Sequence, residues 1–444
     1  MSAVAAPAPP RTITAEDGLA AAYVTELRKL LAQMTTRMLA LVAVAGPFAF
    51  AAVLKIQSGT PSDAVFGAYV HDSGFAISLV ILGFAGSWGF PVIAGLIAGD
   101  IFAGEDRHGT WKTILTRSAT REQLFAGKLF AAGTVVIGIS MLLGLASVIA
   151  GVVFTGAHGL VDLSGQLISP GRALALTVVS WLYCVIPALA YTAVAVVFSV
   201  ATRNGILGVF GPLLVALVTQ LLELIGNGVI VHVLLIGSAF DTYFGMFVTH
   251  PFLGPMLVSI AVCLVWIGVS LGLSWRIIRR RDFLARGEQG RTSWVMPVRA
   301  VAVTVAIVAV LAVGAGLGPS AVTAYRVSAA MGPEFNSLTL YQQALIGRHA
   351  PASARLDVLP NCNRRGAADT GPGDWNCNIY VYLPQPKSVP FQQTSVEYDV
   401  SVASDGCYKA QSPPAFLGGP TIAALNGRTV TNPLFIAYGC FNIL

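Results

Sequence analysis

The densest mixture of charge between two long apolar segments runs from Asp100 to Lys128, DIFAGEDRHGTWKTILTRSATREQLFAGK. Five bases (Arg107, Lys112, Arg117, Arg121, Lys128) stand among four acids (Asp100, Glu105, Asp106, Glu122). The pair Gly127-Lys128 ends like a phosphate-binding loop. However, Glu122 stands where that loop needs its first Gly, and Leu129 where it needs Ser or Thr. The run His71-Asp72-Ser73 holds the residue types of a hydrolase triad, but neighbours in sequence do not converge on one reacting atom. Gly314, Gly316 and Gly318 lie inside an apolar stretch, where they suit helix packing and not a dinucleotide fold. There is no HExxH, no paired acids within the apolar runs and no metal-ligand spacing, so catalysis has no foothold and no metal is expected. What remains for Asp100–Lys128 is charge placed for contact. Thr110 suits the cap of a short helix starting near Trp111, with Trp111, Ile114 and Leu115 on one face. Thr120 suits the cap of a second helix leading through Arg121 to Lys128. A rigid lateral helix between two membrane spans is a lever, since a push on it moves both. The plainer alternative is a solvated loop.

The elements around this run belong in a bilayer. The chain has 444 residues, 55% of them hydrophobic and only 11% charged, with a mean hydropathy of +0.72. Soluble domains carry about 25% charge. The apolar runs are long enough to cross a membrane and lack period-2 alternation, so they predict helices. The expected fold is an all-α polytopic membrane protein, a six-helix core plus a seventh span, followed by a small β-rich, disulfide-bearing domain. The arginines cluster beside apolar spans and not along one soluble face, which argues against nucleic acid as a partner.

In chain order, residues 1–14 are Ala/Pro-rich and predicted disordered. Residues 15–37 form an amphipathic interfacial helix with Ala21, Val24, Leu27, Leu31 and Met34 in one stripe. Residues 38–278 hold six spans, near 38–56, 75–99, 129–154, 173–200, 205–225 and 255–277. Within them lie the charged segment 100–128 and an apolar stretch at 226–254. Gly and Pro break that stretch, so it is expected to be re-entrant. A basic linker (279–298), a seventh span (299–318) and a non-membrane domain (319–444) follow. Glu223, late in the fifth span, is the one intramembrane acid and a candidate for lining a cargo path.

Two signals orient the chain. Five bases in 100–128, Arg203 and seven arginines in 276–299 share one side, which the positive-inside rule makes cytoplasmic. The opposite loops carry mainly Asp63, Asp72, Asp162 and Asp241. Seven spans then place the N-terminus inside and residues 319–444 outside. There Cys362, Cys377, Cys407 and Cys440 would oxidise. The expected pairs are Cys362–Cys377 and Cys407–Cys440, though four cysteines allow three pairings. Cys184 and Cys263 fall within spans and read as plain buried thiols. Strands are expected at Arg355–Leu359, Cys377–Leu383, Ser395–Ala403 and Thr429–Gly439, with a helix at 335–348.

The residues Gly104-Glu105, Gly109-Thr110, Arg121 and Gly127-Lys128 resemble the "E…GT…sR…gK" segment between the second and third spans of ABC-2-type transporter permeases. The resemblance extends over about residues 15–280, through the lead-in helix, the six spans and the re-entrant piece. One departure is Ser118-Ala119, where the family often has a proline just before the arginine. The resemblance implies a coupling segment (Glu105, Gly109, Thr110, Trp111, Arg121, Lys128) that rests on a separate ABC ATPase. It implies two permease chains, alike or merely related, with two ATPase subunits. The chain would bind no cofactor itself, with ATP and Mg held by the ATPase. It also implies outward transport of a drug, antibiotic, lipid or glycan-lipid. The Ala/Gly/Arg-rich composition suggests a GC-rich bacterial genome and hence a bacterial plasma membrane. A different class, a membrane-anchored sensor or envelope-assembly protein working through residues 319–444, is the alternative.

Overall fold

The computed structural model describes residues 15–57, 61, 64–111, 120–224, 234–281, 322–348, 356–366, 369–382, 393–403 and 405–442. Helix α1 (Ala15–Ala32) is followed by α2 (Met34–Ile56) across one extended residue, Gln33, at ψ 138°. The break therefore falls inside the stretch read as one interfacial helix. Met34–Arg37 open the first span instead.

The second span is built in pieces: α3 (Gly74–Phe84), one π turn (Ala85–Gly89), α4 (Phe90–Ala98) and the short α5 (Ala103–His108). Pro91 has no N–H to give, and the widened π turn just before it is where the helical ladder absorbs that loss. Then come α6 (Arg121–Thr155), a two-stranded hairpin of β1 (Leu160–Val161) and β2 (Leu167–Ile168), α7 (Pro170–Thr202) and α8 (Gly205–Leu224). Arg203 turns the chain between the last two at a left-handed φ of 56°. Single 3₁₀ turns at Ser238–Phe240 and Thr242–Met246 precede α9 (Gly254–Arg280). These turns are buried and too short to cross a bilayer.

Five stretches are long and apolar enough to cross a membrane, by length and composition: Met34–Ile56, Gly74–His108, Arg121–Thr155, Pro170–Thr202 and Gly254–Arg280. Gly205–Leu221 is a shorter apolar helix of the same bundle. Small residues set the helix crossings. A Cβ on Gly99 would lie 2.4 Å from the backbone carbon of Gly208, so α4 and α8 touch through their backbones. Cys184 and Cys263 are buried free thiols, as expected.

Contacts gather Lys29, Asp100, Arg107, Arg121, Gly205 and Arg281 at one end of the bundle, and Val70, Gly74, Thr155 and His158 at the other. The chain leaves the first end at Arg281 and resumes at Val322 near the second, where Tyr341 meets Tyr69 edge-on at 6.3 Å. The expected seventh span, 299–318, and the linker 282–298 lie outside the described residues.

Helix α10 (Ala324–Leu345) packs Val327, Met331, Phe335 and Leu338 onto a five-stranded antiparallel sheet of order β3-β4-β5-β6-β9. It starts well before residue 335, because this apolar stripe outweighs the local cost of Gly332 and Pro333. The strands are β3 (Asp357–Arg364), β4 (Gly373–Tyr382), β5 (Gln393–Val402), β6 (Cys407–Gln411) and β9 (Ile436–Cys440). β3 runs through Pro360, which an edge strand tolerates because its outward N–H has no partner to lose. The expected strand 429–439 is split. β8 (Thr429–Thr431) pairs with β7 (Thr421–Ala423) in a separate hairpin, and only β9 joins the main sheet. α11 (Pro414–Leu417) precedes that hairpin.

Both expected disulfides form, Cys362–Cys377 and Cys407–Cys440, each between directly opposed residues of neighbouring strands. Cys362→Ser with Cys377→Ser should destabilise this domain by about 2–4 kcal/mol. Faster proteolysis of residues 322–442 in the otherwise intact chain is the expected result, and unchanged protection would show the bridge to be dispensable.

Candidate functional site: a buried charge clamp at the basic end

Helix α5 ends at Gly109, whose φ of 65° is a left-handed cap that glycine adopts without steric cost. The turn returns the Thr110 N–H to the Glu105 carbonyl at 3.1 Å. The Thr110 hydroxyl donates to the Glu105 carboxylate. So Thr110 closes onto Glu105. The helix expected from Trp111 onward runs into residues 112–119, including Ile114 and Leu115, which lie outside the described residues. Thr120 does cap the next helix, in a reciprocal capping box with Gln123.

Glu105 is 3% exposed and Lys128 is fully buried. Lys128 Nζ lies 2.9 Å from Glu26 Oε1 and 3.1 Å from Glu105 Oε1. Lys29, half exposed, also pairs with Glu105. Two acids and two bases from α1, α5 and α6 thus alternate in one cluster, each buried charge facing its opposite. Such a cluster forms only where backbones come close. A Cβ on Gly127 would stand 2.9 Å from the Ala22 Cβ and 3.0 Å from the Tyr23 nitrogen, so only glycine lets α6 cross α1 near enough for Lys128 to reach Glu26. Gly127→Val should therefore push α1 outward and abolish a cysteine crosslink engineered between the two helices. An unchanged crosslinking yield would refute this packing role.

Aromatic rings seal the cluster. Lys128 Nζ sits 5.9 Å from the Phe102 ring centroid. Phe102 stacks with the buried Trp111 at 6.3 Å, and Phe125 bridges Phe102 (5.6 Å) to Trp275 of α9 (5.4 Å). A second pair of links ties in α9. Arg121 Nη1 donates to the Arg281 carbonyl at 3.1 Å, as a base at a helix C-terminus should. Arg281 in turn pairs with Asp106. A cavity of about 360 Å³ opens between α1 and α5, with Glu26, Lys29, Asp100, Arg107 and Thr110 among its walls.

The structure therefore brings together Glu105, Gly109, Thr110, Trp111, Arg121 and Lys128, all anticipated from sequence. It adds Glu26, Lys29, Phe102, Asp106 and Arg281. Glu26 and Lys29 lie off the apolar stripe of residues 15–37, and Arg281 belongs to the arginine cluster at 276–299. Their i, i+3 spacing next to a small-residue stripe was the available signal. Glu223 falls in the last turn of α8, and its side chain lies outside the described residues. No group of three or more His, Cys, Asp or Glu among the described residues is arranged to hold a metal ion.

At the opposite end, Glu334 of α10 is buried and accepts a hydrogen bond from the Tyr408 hydroxyl. Burial pushes its carboxyl up to about 8 against the opposing pull of that bond, and nearby Asp162 pushes the same way as burial.

A bundle of apolar helices with a charge clamp at one end and a disulfide-bonded sheet domain after it defines a multi-pass membrane protein. Residues 23–211 match the family model described as ABC-2 family transporter protein, a match that supports an ABC-2-type permease over that stretch. The match runs from α1 into α8 and takes in Glu26, Lys29, Glu105 and Lys128, but neither Arg281 nor the disulfide domain. Permeases of this family are the transmembrane subunits of transporters and not themselves ATPases, and the family implies an ABC ATPase partner. No curated protein matches the chain.

Proposed function

We propose that this chain is the permease subunit of an ATP-driven exporter that moves a hydrophobic or amphiphilic cargo outward. Two permease copies and two ATPase subunits form the working unit, and ATP and Mg sit on the ATPase. The observation that carries this reading is the clamp. Glu105, Lys128 and Trp111 are buried, so they act as a frame that ties α1, α5, α6 and α9 to both ends of segment 112–119. Arg107 (paired with Asp100), His108 and Arg121 are exposed on the same end and present their outer faces toward a partner. A push on the segment would reach the second, third and sixth spans together. The basic residues at this end support a cytoplasmic clamp, and the two disulfides beyond the other end support an extracytoplasmic domain.

The test is co-purification from native membranes in mild detergent. A stoichiometric ABC ATPase, released by Arg107→Glu with Arg121→Glu, is expected. Recovery of envelope proteins without an ATPase would favour the second reading, a membrane-anchored sensor or assembly protein. That reading draws on the domain docked against the bundle through Tyr69–Tyr341. Deleting 320–444 separates the two, since an exporter core would keep its ATPase and a sensor would lose its function.

A further inference from the structure

The main sheet of the C-terminal domain has two unlike faces. One packs Cys362, Cys377, Trp375, Tyr398 and Val400 under α10. The other is set by the register. Asn361 stands opposite Asn378, which stands opposite Glu397. The next row on the same face reads Asn363, Asn376, Asp399. A third row, to the other side of the first, places Leu359 opposite Tyr380. Directly opposed residues of an antiparallel sheet share a face, and rows on that face repeat at about 7 Å. Asn361, Asn363 and Asp399 are exposed, and Asn376, Asn378, Tyr380 and Glu397 are half-buried.

Asparagine and aspartate are depleted from strands because their side chains compete with the backbone. Four asparagines and two acids in one patch across three strands run against local propensity, and such conflicts mark sites used for something else. The patch is partly pre-ordered. Asn376 Nδ2 donates to Glu397 Oε1 at 2.5 Å, and Asn378 Nδ2 to Asn376 Oδ1 at 3.4 Å, while Arg365 pairs with Asp399. Each amide still has donor and acceptor capacity beyond those bonds.

We infer that this face is a binding site for a neutral glycan. Rows of amide, amide and carboxylate offer both donors and acceptors to sugar hydroxyls, and Tyr380 offers a ring for the apolar face of a pyranose. Glu397, together with an Asp399 already neutralised by Arg365, leaves these rows without the excess of positive charge that a polyanion such as nucleic acid needs. Leu359 is the one large exposed aliphatic of the three rows, too little to anchor an apolar protein partner. The inference does not depend on the transport reading, since a permease or a sensor would present the same face.

The test uses full-length protein in detergent, titrated calorimetrically with cellohexaose and chitohexaose, and with polyphosphate as the anionic comparison. Saturable binding of at least one oligosaccharide is expected, weakened about tenfold or more by Asn361→Ala with Asn363→Ala. These edge-strand changes are exposed and should leave the thermal midpoint unchanged. Tyr380→Ala should weaken binding too, and Tyr380→Phe should restore it. No binding of either sugar, binding of polyphosphate alone, or sugar binding indifferent to all these variants would overturn the assignment.

Discussion

Lys128→Met will destabilise the protein by about 3–5 kcal/mol and, on the proposed transport function, uncouple it from the ATPase. The methionine fills most of the lysine's volume but leaves Glu26 buried without its cation and Glu105 with Lys29 alone. Breaking a buried pair by removing one partner costs that much because the remaining charge has lost its solvent and gained nothing. Lys29→Met is the internal comparison. Lys29 is half exposed, so its loss should cost about 1 kcal/mol or less. The double variant Lys128→Met with Glu26→Gln removes the stranded charge and should recover part of the loss, a coupling that a double-mutant cycle reads directly. The measurements are the thermal midpoint in detergent and cargo-stimulated ATP hydrolysis by the reconstituted complex. A Lys128→Met protein as stable and as well coupled as the parent would remove the clamp from any role.

The second large effect is a pH dependence in the C-terminal domain. In the unfolded chain a glutamate ionises in its usual range, near 4.5, whereas Glu334 in the fold holds its proton up to about 8. Between those values the folded state carries one more proton than the unfolded state. Stability is therefore complete below about pH 4.5, declines as pH rises, and levels off above about 8. The slope for one proton is about 1.4 kcal/mol per pH unit. Glu334→Gln keeps an oxygen for the Tyr408 hydroxyl and has nothing to ionise there, so its profile should be clearly flatter than the parent's, with only the slope left by Asp405, whose carboxyl burial also raises. Pulse proteolysis of residues 322–442 in the full chain, at pH 5, 6.5 and 8, checks both. Wild-type protein that gains protection from pH 5 to 8 would contradict the burial argument.

Much of the fold is legible in the residues because membrane burial and strand alternation are local signals. Apolar length alone marks the helices, and Thr120 with Gln123 three positions on marks a capped start. Cysteine proximity along the chain suggests the two bridges that form. The errors fall where a distant partner decides. Gly332 and Pro333 look like a stop signal until the sheet under α10 is present. Thr429–Gly439 looks like one strand because alternation does not say which sheet a strand joins. The helix break at Gln33 carries no breaker residue.

The candidate site divides the same way. By itself the sequence determined the class of protein, a helical membrane bundle with a charged segment between its second and third spans and an oxidisable domain at its end, because composition and span length follow from transfer energies alone. Tertiary structure decided what the charges do. Glu105 and Lys128 looked like surface groups available to a partner, and they are interior. Burial depends on α1 crossing α6 at Gly127, a contact between residues more than a hundred positions apart that no local pattern encodes. Likewise the register of β3 against β4 and β5, and not the spacing of asparagines along any one strand, assembled the amide and carboxylate rows of the open sheet face.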